Sequence, residues 1–157
     1  MASLLFKLTA IMLGLKALSI AKTQLGQQEK PLGSNWGVPV KDYLASVGIT
    51  FPASWCMAFV YWCFKQIEEA PPLIKTGGVL RAWNEADKKY RVTDPQSGDI
   101  FIMDFGKGLG HTGIVEKTDQ TFIYTIEGNS NDSGSREGIE VTRKQRPKTK
   151  IKGYLRY

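Results

Sequence analysis

One histidine and two cysteines are all that 157 residues offer of the usual metal-binding side chains. Zinc takes about four N or S ligands, and Cys56 and Cys63, seven apart, lack the Cys-x-x-Cys spacing of a structural site. Any metal role falls to carboxylates, so neither a metal nor a cofactor is expected. A disulfide is excluded too. The run Trp55-Cys56-Met57-Ala58-Phe59-Val60-Tyr61-Trp62-Cys63-Phe64 reads as a buried helix, on which the two cysteine Cα atoms stand roughly 10 Å apart, beyond the ~7 Å a bridge tolerates. Both cysteines are expected as free thiols.

Acidic residues are absent from the last seventeen positions. Residues 141–157 hold seven basic side chains and no carboxylate, whereas residues 1–140 hold 14 basic and 15 acidic ones, so the whole net charge of +6 sits at the C-terminus. A nucleic-acid partner is a natural first thought for such a tail. Its cations alternate with strand-forming residues, however, and only Tyr154 and Tyr157 could stack on bases. No nucleic acid is therefore expected. Repeats are absent as well, and the length suits one domain and is too short for two of ordinary size.

Long apolar runs are also lacking. At the N-terminus the longest, Ala10 to Leu15 with Gly14 inside it, is far below the ~20 residues that span a bilayer, so stable membrane insertion is not expected. Leu4, Leu5, Leu8, Ile11, Met12, Leu15 and Leu18 instead follow a helical spacing of three and four, interrupted by Lys7 and Lys16. A cleaved signal is not expected either: nothing basic precedes Leu4, and the one plausible cleavage site, Ser19-Ile20-Ala21, falls inside a continuing helical pattern.

The rest of the chain divides into helices followed by strands. An opening helix or helix pair leads through a Pro/Gly loop at residues 31–39 to a short helix over 40–47. Ser54 is the expected N-cap of the helix near Cys56, which Pro71-Pro72 closes, and another short helix lies over 79–87. Residues 100–105 are apolar on both faces, as a central strand requires, and strands over 111–116, 122–127, 139–143 and 151–157 follow. The pattern is α+β, with the Cys56 helix packed on an antiparallel sheet of about five strands.

Chemistry enters with Cys56. At a helix start, backbone amides and the macrodipole favour a thiolate, whereas a cysteine inside a helix, as Cys63 is, is usually a small core hydrophobe. The sole histidine, His111, follows the glycine-rich turn 106–110 at the start of a strand, where it can serve as base. An acceptor for its other ring nitrogen is needed, and Glu127 and Asn129 are the two candidates.

Taken together, Trp55-Cys56-Met57-Ala58-Phe59-Val60, Gly98-Asp99-Ile100-Phe101, Gly110-His111-Thr112-Gly113-Ile114-Val115 and Ile126-Glu127-Gly128-Asn129 resemble the CHAP family of cysteine, histidine-dependent amidohydrolases and peptidases, within the papain-like clan. The likeness runs from about Ala17, through Gln24-Leu25-Gly26 and Glu29, to the C-terminus. It implies a papain-like fold over residues 17–157, with residues 1–16 as an amphipathic docking or packing helix. It further implies that Cys56 attacks an amide carbonyl to give a thioester, that His111 moves the proton, that Glu127 orients His111, and that Asn129 is a fourth member. The implied substrate is peptidoglycan, cut as an N-acetylmuramoyl-L-alanine amidase or as a stem-peptide or cross-bridge endopeptidase. Trp55, Trp36 and the polar loop with Asn131 would line the cleft. Relatives with calcium carry an Asp-rich loop before the cysteine; residues 48–54 contain no carboxylate.

The implied workplace is the periplasm or the extracellular wall, reached through a secretion system or by lysis, as a monomer. A phage lysin, an antibacterial effector and an autolysin all fit, and an effector would imply an immunity protein that plugs the Cys56 cleft. Two rival readings remain: an amidase for a small soluble amide, and a non-enzymatic binding module that uses the basic C-terminal hairpin.

Overall fold

A computed structural model describes residues 3–130 and 138–157. Four helices precede the main strands: α1 (Leu4–Thr23), α2 (Val40–Ser46), α3 (Cys56–Lys65) and α4 (Val79–Glu85). Six strands among the described residues, β1 (Arg91–Val92), β2 (Ile100–Gly106), β3 (Leu109–Thr118), β4 (Phe122–Ser130), β5 (Glu140–Pro147) and β6 (Gly153–Leu155), form one antiparallel sheet in the order β1-β6-β2-β3-β4-β5. The fold is α+β, as expected, with one strand more than the pattern showed. The addition is the two-residue edge strand β1, too short to carry an alternation.

β2 sits between β6 and β3 and is buried on both faces over residues 100–103, which is why its sequence does not alternate. Ile100, Ile102, Ile114 and Ile126 pack with the helices in the main core; Phe101, Met103, Val115, Ile123 and Tyr154 form a second, smaller cluster. Tyr43 of α2 joins this core to α3, its ring lying 5.6 Å from Trp55, 5.1 Å from Phe59 and 5.0 Å from Trp62. Aromatic contacts of this kind add about 0.5–1.5 kcal/mol each beyond the area they bury.

α1 is one continuous helix. The division expected between residues 16 and 17 falls in its middle, and the two halves share a buried face of Ala10, Leu13, Gly14, Ala17, Leu18 and Ala21. The opposite face is also apolar and exposed at Leu4, Leu5, Leu8, Met12 and Leu15. By length and composition the helix is therefore able to cross a membrane, a property that the lysine-broken apolar runs hide. Gly14 fixes how closely it sits: a Cβ there would lie 2.7 Å from the carbonyl oxygen of Gly98, in the turn that starts β2.

The contact has no slack, because both sides are backbone. Gly14→Val is expected to destabilise the protein by about 2–3 kcal/mol, the upper range for overpacking, and to lower Tm by about 5–10 °C. Thermal unfolding followed by circular dichroism checks this; an unchanged Tm would show that α1 moves off Gly98 at little cost.

Candidate active site

Cys56 is the first residue of α3, and the carbonyl of Trp55 accepts the first helical bond, from the amide of Phe59 at 2.8 Å. Trp55 is thus the cap residue, one position later than the Ser54 expected from sequence. The Trp55 side chain makes no capping hydrogen bond. The first amides of a helix have no carbonyl partner inside it and carry its positive end, so the Cys56 sulfur starts from an environment suited to negative charge.

Trp55 itself has no exposed surface. Its indole Nε1 donates to Glu29 Oε1 at 2.8 Å, and its ring lies against Tyr43 and Phe59. This corrects the expectation that Trp55 lines a cleft: an indole on this side of the helix start is needed to fill the space between α2 and β4. The packing is close, since a Cβ on Gly128 would come within 2.7 Å of both Trp55 Cζ3 and Phe59 Cβ. β4 is thereby pressed against the first turn of α3.

β3 brings His111 to the same place. The side chain is 2 % exposed, and its Nε2 lies 2.7 Å from Glu127 Oε1 on β4. Gly113, two residues on, permits that approach, because a Cβ there would meet Glu127 Cγ at 2.8 Å and the Ile126 carbonyl oxygen at 2.7 Å. The other ring nitrogen, Nδ1, is buried without a hydrogen-bond partner, and the Cys56 thiol acts on the imidazole alongside Glu127. Burial disfavours the imidazolium, but Cys56 and Glu127 outweigh it and raise His111 from 6.5 to about 9. Cys56, His111 and Glu127 are therefore brought together in a row.

Glu127 is fully buried and collects more partners than the sequence suggested. Thr125 Oγ1 donates to its Oε2 at 2.6 Å and Ser130 Oγ to its Oε1 at 3.2 Å. Arg146 on β5 grips both oxygens, Nε to Oε2 at 2.9 Å and Nη2 to Oε1 at 2.6 Å. Burial alone would push the carboxyl upward, but Arg146 and His111 reverse this and lower it from 4.5 to about 2. Arg146 escaped the sequence reading, which placed it among the cations of the tail. The only signal was its parity: Arg146 pairs with Ile123, and Ile123, Thr125 and Glu127 point to one face of β4.

Asn129 stands beside this row without joining it by any described bond; it is 1 % exposed, its backbone is left-handed at φ 52°, and its Oδ1 has no partner. Trp36 is half-buried, with Lys41 Nζ 5.5 Å from its ring centre, and Asn131 lies outside the described residues. Both cysteines are free thiols, and complete burial raises that of Cys63, as suits an inert core residue. Among the described residues no three His, Cys, Asp or Glu side chains are grouped to hold a metal.

The pair His111–Glu127 makes stability depend on pH in a definite window. Glu127, lowered from 4.5, stabilises the fold above about pH 4.5 and loses that contribution as pH falls towards 2; His111, raised from 6.5, stabilises it below about 6.5 and loses that contribution as pH rises through 9. The difference in Tm between wild type and Glu127→Gln is therefore expected to be greatest between about pH 4.5 and 6.5 and to shrink on both sides. Thermal scans of both proteins from pH 3 to 10 test it, and a difference that keeps growing above pH 8 would contradict it.

No curated protein sequence matches the chain. Two crystal structures of Ly7917, one of them with the hydrolyzing product of MDP, share its fold with a TM-score of 0.55 at 16% and 17% identity, covering 90% of this chain. The chain corresponds to 61% of the length of Ly7917. The profile of the CHAP domain matches residues 48–129, more than half of the chain and a span that contains Cys56, His111, Glu127 and Asn129, so the chain belongs to the CHAP family.

Proposed function

We propose that the protein hydrolyses amide bonds of peptidoglycan through a covalent thioester on Cys56. The observation that carries this reading is the buried imidazole of His111, whose Nε2 meets Glu127 at 2.7 Å and whose affinity for a proton is raised by the Cys56 thiol at the start of α3. His111 takes the thiol proton as the sulfur attacks the carbonyl carbon, forming a C–S bond, and the negative charge that develops on oxygen meets the amide of Cys56 at the start of α3. His111 gives its proton to the departing nitrogen as the C–N bond breaks. Water then attacks the thioester, His111 takes a proton from it, and the carboxylic acid leaves as the thiol re-forms. Asn129, with its buried unpartnered carbonyl oxygen, is the polar contact offered to substrate, and the half-buried Trp36 the aromatic one.

Membership of the CHAP family and the shared fold with Ly7917, a protein crystallised with the hydrolyzing product of MDP, support the wall polymer as substrate class. Either an N-acetylmuramoyl-L-alanine amidase or a peptide-cutting endopeptidase fits. The enzyme then works in the periplasm or outside the cell as a monomer, delivered by lysis or by secretion. If it is an effector, an immunity protein closing the Cys56 site is its matching partner. A nucleic-acid-binding role for the C-terminal cations finds less support, since four of the seven close on carboxylates: Arg143 on Glu116, Arg146 on Glu127, Lys152 on Asp104 and Arg156 on Asp99.

Purified sacculi incubated with the wild type are expected to release soluble fragments, and Cys56→Ala to reduce the rate by at least about 10³-fold, the scale on which loss of a nucleophile is felt. Mass spectrometry of the fragments separates the two cleavage types: new N-terminal alanines identify an amidase, cut stems or bridges an endopeptidase. Undiminished release by Cys56→Ala would end this reading.

A further inference from the structure

Two carboxylate oxygens shared among a histidine, an arginine, a threonine and a serine form a larger unit than a three-residue row. Glu127 has no exposed surface, and the Arg146 side chain retains only 14 %. The guanidinium fork is the geometry that fixes a carboxylate plane, since two N–H groups meet two oxygens at 2.9 and 2.6 Å. Arg146 belongs to β5, opposite Ile123, and lies outside the segment 48–129 that matches the family.

We propose that Arg146 is a positioning residue of the active site: its fork holds the Glu127 carboxylate in the plane that aims His111 at Cys56, and its charge limits how strongly that carboxylate retains the imidazole proton. The part concerning aim rests on the reading of His111 and Cys56 as the reacting pair; the part concerning charge does not. Among the described residues the groups that face His111 are few. From α3 comes the Cys56 thiol and from β4 the Glu127 carboxylate; β2 presents Met103 opposite it and the Phe101 ring 6.2 Å away, and α4 presents Val79 beside Gly110. The carboxylate is thus the anion whose pull on the ring Arg146 is placed to moderate. Without Arg146, Glu127 is a buried anion with one cationic neighbour instead of two, and the proton shared with His111 is held more tightly.

His111 is the sole histidine of the chain, so its ring resonances can be titrated by NMR without ambiguity. Arg146→Met is expected to move the imidazole midpoint upward by about one pH unit, the lower end of the effect of a neighbouring charge. The pH limb of kcat/KM that follows this group moves with it. Arg146→Lys keeps the charge and loses the fork: its midpoint should stay near that of the wild type, while kcat falls about tenfold with KM unchanged, as misalignment of a catalytic group predicts. Repeating the titration in a Cys56→Ala background separates the two readings, because it needs no turnover. An upward shift there, combined with undiminished hydrolysis by Cys56→Ala, would sink the catalytic assignment and leave the action of Arg146 on His111 intact. A folded Arg146→Met whose His111 midpoint matches the wild type overturns the proposal. Should Arg146→Met fail to fold, Arg146→Lys decides, and an unchanged kcat overturns it.

Discussion

A carboxylate with no contact to water must be neutralised or matched, and the way Glu127 is matched organises this protein. Removing one partner of a buried charge pair typically costs about 3–5 kcal/mol, because the remaining charge has no solvent to turn to. Here the matching groups come from three strands: His111 from β3, Thr125 and Ser130 from β4 itself, and Arg146 from β5. The registers of β3 on β4 and of β4 on β5 are consequently tied to one side chain. A slip by one residue would reverse every side chain on the strand and separate the charges. The same carboxylate raises the affinity of His111 for a proton, so the group that ties the strand registers together also sets the charge on the buried imidazole.

The helices serve this arrangement by closeness. Cys56 reaches the histidine only because α3 begins hard against β4, and that approach is set by Gly128 beneath Trp55 and Phe59. Glu29 completes the fixation from the other side of the indole. On the far side of the core, α1 meets the start of β2 backbone to backbone through Gly14 and Gly98. The Gly98-Asp99 pair is also charge-matched: Arg156 grips both oxygens of the buried Asp99 at 2.8 and 2.7 Å, and the amide of Gln96 adds a bond at 2.7 Å. Two interior carboxylates are therefore held by arginine forks from the C-terminal segment.

What the sequence made legible was local. The thiol at a helix start, the histidine after a glycine turn and the acid at a strand end each announce themselves within a few residues, and periodicity located the helices and five of the strands. The capping residue was missed by one position because a helix start is decided by backbone angles that a serine in the neighbourhood does not dictate. Trp55 was read as cleft-lining because an indole beside a nucleophile is equally at home in a binding site and in a core; only the bond to Glu29, 26 residues earlier, decides between them. Arg146 was invisible for a stronger reason. Its partner is 19 positions away on the neighbouring strand, and pairing of that kind depends on strand register, to which no local pattern points.

That register also changes the meaning of the C-terminal charge. Seven cations without an acid look like a surface made for a polyanion, but an arginine in a strand next to a buried glutamate belongs to the interior electrostatics of the molecule. Once Arg143, Arg146, Lys152 and Arg156 are matched with Glu116, Glu127, Asp104 and Asp99, four of the seven cations of the tail are engaged by carboxylates of the body. The asymmetry along the chain is what an antiparallel sheet produces when its last strands bring the cations for carboxylates laid down earlier. The least exposed members of that set, Arg146 and Arg156, are the least screened by salt, and they hold the acid behind His111 and the acid that begins the central strand.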